Sequence, residues 1–304
     1  MRPRGSVLIL VIWTISSLSL LAATLSARCV SDLSRTQRLE GQLQARYIAR
    51  AGISRAIQRL KADSTPTEWF DQQKFGDGVY SISGFRDEER AIPLNQASAE
   101  ILTRLFLQSG LLKEADAQAL ADAIIDWRDE DQEKGPYGAE DFYYLGLDHP
   151  YECKDAPFEN LEELLLVRGM TPELFTWAAP SLTVRGSGRV NLNTAGPTVL
   201  RALGLSESGV NGVVFYRSGE DNIPGTADDR VFSSPAQAVS ELSKLCPVED
   251  LNRLAQLDRQ QMLCAASREF ELWVLAQTAE QEETQAHIRC VVDRTGQVKE
   301  WQEW

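Results

Sequence analysis

Ser6–Ala27 reads SVLILVIWTISSLSLLAATLSA. These 22 residues hold no charge, no proline and no glycine. As a helix they extend about 33 Å, the thickness of a bilayer core. Arg2 and Arg4 precede the stretch, and the nearest charges behind it are Arg28 and Asp32. The early arginines favour a cytoplasmic N-terminus, with the remainder across the membrane. A cleaved secretory signal has a shorter apolar region, about 7–15 residues, so the length favours a retained helix.

Gly5 closes the short basic leader MRPRG directly before this apolar run. That arrangement resembles the type IV prepilin class, in which a peptidase cuts after the glycine and the apolar helix is kept. The helical pattern does not stop at the membrane edge. Leu33, Leu39, Leu43, Tyr47, Ile48, Ile57 and Leu60 recur mostly at three- and four-residue steps, with arginines between them. Alanines at 45, 49, 51 and 56 suit a helix, whereas Gly41 and Gly52 each cost it about 1 kcal/mol. Asp63-Ser64-Thr65-Pro66 ends the pattern. One helix from Ser6 to Ala62 is expected, half in lipid and half laid on a globular head.

The whole chain has 304 residues, 44 acids and 31 bases, a net charge of −13 and a pI near 4.8. An acidic balance of this size argues against a general nucleic-acid binder and against a polybasic membrane-surface module. The two histidines, His149 and His287, leave little for a histidine-based catalytic or zinc centre. No G-x-S-x-G, P-loop or HExxH motif is present. No enzyme is expected.

Behind the helix, Val79–Ser83 and Glu269–Thr278 alternate apolar and polar residues as half-buried strands do. A short strand over Arg90–Leu94 and C-terminal strands over Gln285–Asp293 and Gln297–Trp304 complete the pattern, the last two joined by the turn Asp293-Arg294-Thr295-Gly296. Between the strand groups lie helices over Ala99–Leu107 and Ala115–Trp127. Another is expected over Glu159–Val167, and a further one is opened by Thr171-Pro172. Helix, strands, helices, strands is an α+β order. It reads most economically as an antiparallel sheet interrupted by an inserted helical domain. The insertion carries an internal echo. Ile92-Pro93-Leu94-Asn95-Gln96-Ala97 returns as Val190-Asn191-Leu192-Asn193-Thr194-Ala195, 98 residues on, and Ile125-Asp126-Trp127-Arg128 returns as Val214-Phe215-Tyr216-Arg217. Two echoes in the same order point to related helical units.

Two acidic loops are the candidate chemistry. In the first, Asp129, Asp131, Glu133 and Glu140 fall at positions 1, 3, 5 and 12 of a twelve-residue count, with Asp141 beside them. That is the carboxylate spacing of a helix–loop calcium site, although the glycine stands at position 7 instead of 6. The plain alternative is a solvated acidic loop. The second loop, Gly219–Asp229, holds Glu220, Asp221, Asp228 and Asp229 around a Pro-Gly turn. Carboxylates that crowded repel unless a cation or full solvation offsets them, so a folded calcium loop and a solvated one stand equal. Leu164–Thr171 also looks like the turn of a helix-hairpin-helix DNA-binding module, with one glycine where two are usual. A membrane-anchored DNA-binding or uptake protein is therefore the rival reading. Five cysteines (29, 153, 246, 264 and 290) leave disulfide connectivity open, Cys246–Cys264 being the most local pair.

Taken together, these features resemble the protein K family of type II secretion minor pseudopilins over essentially the whole chain. AIIDWRDED (123–131) and YGAEDFYY (137–144) look like its most specific blocks. PFENLEELLLVRGM (157–170) and VNLNTA (190–195) are similar to its later ones. The resemblance implies a pilin-like fold, with the long N-terminal helix packed on an antiparallel sheet and a large all-α insertion. The expected division is a prepilin leader at 1–5, a membrane-spanning part at 6–27, a pilin-like domain at 28–95 and 265–304, and the insertion at 96–264. It also implies one or two Ca²⁺ ions, with Asp129, Asp131, Glu133, Glu140 and Asp141 as candidate ligands at one loop and Asp221, Asp228 and Asp229 at the other. Cleavage after Gly5 and N-methylation of Ser6 by a prepilin peptidase are implied as well. So is a single-pass place in a bacterial inner membrane, with the C-terminal domain in the periplasm. The implied partners are the I and J minor pseudopilins, the pseudopilus and the inner-membrane assembly platform; nucleic acid is not among them. Most pilins carry a Glu at position five of the mature chain, which offsets the neighbouring subunit's N-terminal amine. Here that position is Leu10. An uncompensated charge in an apolar bundle costs several kcal/mol. Leu10 and the bulk of the insertion therefore both point to a tip subunit with no neighbour above it.

Overall fold

The computed structural model describes residues 4–62, 72–221, 223, 226, 228–278 and 285–304; side chains are described from residue 8 onward. The side chains at the expected cleavage site, Gly5 and Ser6, the helix stop at 63–66 and the Pro-Gly turn of the second acidic loop lie outside what is described. Helix α1 runs Arg4–Ala62 without a break, 59 residues and about 88 Å. It contains a span apolar and long enough to cross a membrane, none of it buried against the rest of the chain. The head-packing half buries Ala45, Ile48, Ala49, Ile53, Ala56 and Leu60, one stripe at three- and four-residue spacing. Strands β1 (Gln73–Phe75) and β2 (Gly78–Asp87) follow.

After a two-residue strand β3 (Ile92–Pro93) come α2 (Ala99–Leu107), α3 (Glu114–Arg128), the one-turn α4 (Asp141–Tyr144), α5 (Pro172–Ala178) and a second short strand, β4 (Leu182–Thr183). The next unit is β5 (Val190–Asn191), α6 (Pro197–Ala202), α7 (Glu207–Arg217), α8 (Pro235–Glu241), α9 (Val248–Arg259) and β6 (Leu263–Cys264). The chain closes with β7 (Glu269–Thr278), β8 (Gln285–Asp293) and β9 (Val298–Glu303). The sheet order is β1-β2-β7-β8-β9, antiparallel throughout. The alternation read in the sequence turns Phe270, Leu272, Val274 and Ala276 toward α1, together with Tyr80, Ile82, Ile288, Cys290 and Val292.

Gly52 is the contact point of helix and sheet. A Cβ there would stand 2.7 Å from the Tyr80 ring. The helix penalty of this glycine is thus offset by a close approach that no other residue permits.

A second, larger core runs from Ile92 to Leu263 and contains none of the α1 or main-sheet residues. The echoed segments occupy matching places in it. Strand β3 pairs in parallel with β4, and β5 in parallel with β6. The Asn95 side chain donates to the Phe158 carbonyl (2.9 Å) and accepts from the Phe158 amide (2.8 Å). Asn193 does the same with Phe232, at 2.9 and 2.8 Å. Arg128 donates to the carbonyls of Leu94 and Ala97; Arg217 donates to those of Leu192 and Ala195. Each arginine ends a helix and leads into an acidic loop. The two loops are therefore equivalent positions of a duplicated unit.

Two local expectations change. The strand expected over Arg90–Leu94 shrinks to Ile92–Pro93 and joins the insertion, because among the described residues its strand partner is Leu182–Thr183. The helix expected over Glu159–Val167 is a six-residue 3-10 segment, Leu161–Leu166, that buries only Leu164. With one buried side chain in six residues, little packing of an apolar face is available to favour an α-helix there.

Three consecutive acids fasten the insertion to the head. Asp87, Glu88 and Glu89 are all buried. Asp87 accepts from the Thr194 hydroxyl, Glu88 from the Thr183 hydroxyl (2.6 Å), and Glu89 from the amides of Ser187 (3.0 Å) and Glu269 (3.3 Å). Burial raises the pKa of both Glu88 and Glu89.

Candidate metal centre

Helix α3 places Asp122 and Asp126 one turn apart on a single face. Both are buried, and both hold the loop that follows. The Gly135 amide donates to the Asp126 carboxylate (3.1 and 3.2 Å), and the Tyr137 amide donates to Asp122 (3.2 Å). A Cβ on Gly138 would fall 1.9 Å from Asp126 Oδ2. The loop is thus wound onto α3 by main-chain groups that require glycine at 138.

Winding brings Asp129, Asp131 and Glu140 together, with one carboxylate oxygen of each inside a 4.8 Å span. Glu140 is 5% exposed, and neither of its carboxylate oxygens has a hydrogen-bond partner. Desolvation raises its pKa to about 7, with further repulsion from Asp126, Asp129 and Asp155. Asp129 is raised as well, first by burial and then by Asp131. A buried carboxylate among other carboxylates, with no donor on it, has the character of a ligand for a hard divalent cation.

Glu133 and Asp141 do not join this group. The Glu133 amide donates to Asp131 (2.8 Å), while Asp141 accepts from the Cys153 amide (2.7 Å) and so ties the returning chain to the loop. That chain carries a residue the twelve-residue spacing does not reach. Asp155, at φ 49, sets its carboxylate within 4.8 Å of Glu140 and of the Cys153 thiol. No local motif announces Asp155 or Cys153, since contact order alone brings them in. Asp126 stands inside the AIIDWRDED block, but its part in holding the loop is visible only in three dimensions.

The second loop is arranged differently. Asp228 accepts from the amides of Glu220 (2.6 Å) and Asp221 (3.1 Å) and from the Thr226 hydroxyl (2.7 Å). These donors, the hydroxyl first, hold its pKa down to about 2. Asp221 accepts from the Ile223 amide (2.8 Å). Asp228 here organises a turn, and among the described residues Asp221, Asp228 and Asp229 do not form a metal-ready trio.

The hairpin-like segment uses three of its amides and its arginine within the chain. The amides of Val167 and Met170 donate to Leu164 and Val167 carbonyls, and the Arg168 amide donates to the Tyr144 hydroxyl. The Arg168 guanidinium binds the Gly138 carbonyl (3.1 Å) and lies over the Tyr143 ring. These are the groups that a DNA-binding hairpin leaves available, so the DNA-binding alternative is not favoured.

The sequence model of the family described as type II secretion system (T2SS), protein K, matches residues 80–187, which take in the first acidic loop and the hairpin segment. Over those residues the chain is similar to the type II secretion system protein K family. Type II secretion system protein K of Aeromonas hydrophila is 28% identical over 243 residues, 69% of this chain and 73% of that protein. The Klebsiella pneumoniae protein K is 25% identical over 224 residues, 64% and 68%. Among solved structures, the GspK-GspI-GspJ complex from enterotoxigenic Escherichia coli contains a chain of the same fold. Its TM-score is 0.62 at 18% identity, over 91% of this chain and 99% of that one. These likenesses support a minor pseudopilin of type II protein secretion, and the α+β, pilin-like fold agrees with them.

Proposed function

We propose that this minor pseudopilin occupies the tip of the pseudopilus, where it initiates or caps assembly together with the I and J minor pseudopilins. Support comes first from Leu10. It is the residue at which a subunit stacked beyond this one would need a carboxylate, and nothing acidic stands anywhere in Ser6–Ala27. The K chain of the GspK-GspI-GspJ complex, alike in fold over nearly its whole length, supports the choice of partners. In this reading a prepilin peptidase cleaves after Gly5 and methylates Ser6. The N-terminal part of α1 lies in the inner membrane, the head and insertion stand in the periplasm, and the assembly platform feeds subunits in from below.

Leu33, Leu39 and Leu43 are exposed along α1 between the apolar span and the buried stripe, and Tyr47 continues the exposed row on the face away from the stripe. An exposed apolar stripe on a long helix is a packing face for other helices. The double variant Leu39→Glu/Leu43→Glu is expected to lose co-purification with I and J in detergent while keeping the melting temperature of the head. Retained co-purification would remove α1 from the interface.

The acidic loop is proposed to hold calcium through Asp129, Asp131 and Glu140, with Asp155 beside them. The orphaned Glu140 oxygens carry this assignment. The ion would supply charge compensation that locks the loop, a structural role and not a catalytic one. A pH signature follows. The Glu140 pKa lies at about 7, above its ordinary 4.5. Its contribution to metal-free stability is therefore complete below the ordinary value and is lost as pH rises through about 7. In chelator, the melting temperature is expected to fall as pH rises from about 5 to about 8. Saturating calcium should raise it most at the upper end and flatten the slope. Glu88 and Glu89 add a slope of the same sign that calcium leaves alone. Identical profiles with and without calcium would exclude the site.

A further inference from the structure

Glu140 belongs to two ligand groups. On one side it meets Asp129 and Asp131, all oxygen donors; on the other it meets the Cys153 thiol and Asp155. Calcium uses oxygen ligands alone and has no use for sulfur. Zinc binds cysteine sulfur and carboxylate oxygen together, in tetrahedral sites that close with water as a fourth ligand. We infer that Glu140, Cys153 and Asp155 form a second cation site, selective for a thiophilic divalent ion of the zinc class.

Four observations carry this. The ligand atoms lie within 4.8 Å of one another, and zinc–ligand bonds of about 2.0–2.3 Å place neighbouring ligands about 3.5 Å apart. Small side-chain rotations close that difference. Glu140 is 95% buried by its 5% exposure, and both its oxygens lack partners. Cys153 is a buried thiol outside any disulfide; its amide is held by Asp141 at 2.7 Å and its sulfur donates only a long contact, 3.8 Å, to the Asp126 carbonyl, a bond that metal binding would replace. Asp155 also keeps one oxygen, Oδ1, without a partner. On binding, the Cys153 S–H bond breaks, the sulfur's electron pair bonds the metal, and the proton leaves to solvent. No oxidant or reductant is required.

Glu140 is shared, so zinc and calcium compete for it. Two dications held on one carboxylate repel each other. This competition rests on the proposed calcium reading; thiophilic binding itself does not.

Cobalt(II) is the direct probe, because a thiolate ligand gives it an intense near-ultraviolet charge-transfer band that carboxylates do not. The full chain in detergent, carrying Cys29→Ser to remove the exposed thiol, is titrated with Co²⁺ and then with Zn²⁺. The expected result is a thiolate band at one equivalent of Co²⁺ that Zn²⁺ bleaches, and that Cys153→Ser abolishes. Zinc is also expected to weaken calcium binding about tenfold or more, while Cys153→Ser binds calcium as before. Absence of the band in the Cys29→Ser protein, or its survival in Cys153→Ser, would overturn the inference, and the first needs no Cys153 variant to be folded. Calcium binding without the band leaves the calcium reading standing and sinks only this one. The band without calcium binding does the reverse.

Discussion

Replacing Gly138 by alanine is expected to unwind the first acidic loop and abolish cation binding by it. The added Cβ would meet Asp126 Oδ2 at 1.9 Å and Cγ at 2.6 Å. Asp126 has nowhere to go. It is 2% exposed, projects from the last turn of α3, and holds the Gly135 amide. Relief therefore has to come from the loop, at a cost of about 3 kcal/mol, the upper range for overpacking a well-filled site. Once the loop shifts, the Arg168 bond to the Gly138 carbonyl breaks, and Glu140, two residues on, leaves Asp129 and Asp131. Thermal melting and a calcium titration on Gly138→Ala check both parts. A variant with wild-type stability and calcium affinity would show that the loop is not wound onto Asp126 as described.

Arg128→Met and Arg217→Met are expected to cost about the same as each other, about 3 kcal/mol each. Each guanidinium is half-buried, and each spans two carbonyls of the echoed segment that opens its unit. Burial lowers both pKa values, while Asp129 beside Arg128 and Asp229 beside Arg217 act in the opposite direction. Methionine keeps the stem but leaves two buried carbonyls and one acid without their cation. Denaturant melts of the two variants provide the check. A large loss in one and none in the other would mean that the echo is a likeness of sequence without a likeness of load.

Much of this was legible in the sequence, and what was legible was local. The α1 pattern, the alternation of Phe270, Leu272, Val274 and Ala276, and the echoed blocks are all periodic or repeated, so spacing alone reveals them. The equivalence of Asn95 with Asn193 and of Arg128 with Arg217 followed from the echo, but their shared hydrogen bonds did not. The candidate metal group is half visible in the sequence. Asp129, Asp131 and Glu140 sit within one loop, whereas Asp155 and Cys153 arrive from a separate turn of chain. Glu133 was drawn in by spacing, yet only its amide is used, because its side chain points to solvent. The junction acids Asp87, Glu88 and Glu89 were invisible for another reason. A run of three charges reads as a solvated surface until the hydroxyls and amides that neutralise its burial are known.

The most direct test of the tip assignment is a count. Pseudopili assembled with tagged full-length protein, and with the I and J partners present, can be released intact and analysed by native mass spectrometry. A tip subunit with no acid at Leu10 and nothing stacked above it is present once per assembly, together with I and J. Two or more copies in one assembly, or copies scaling with pseudopilus length, would contradict the tip assignment.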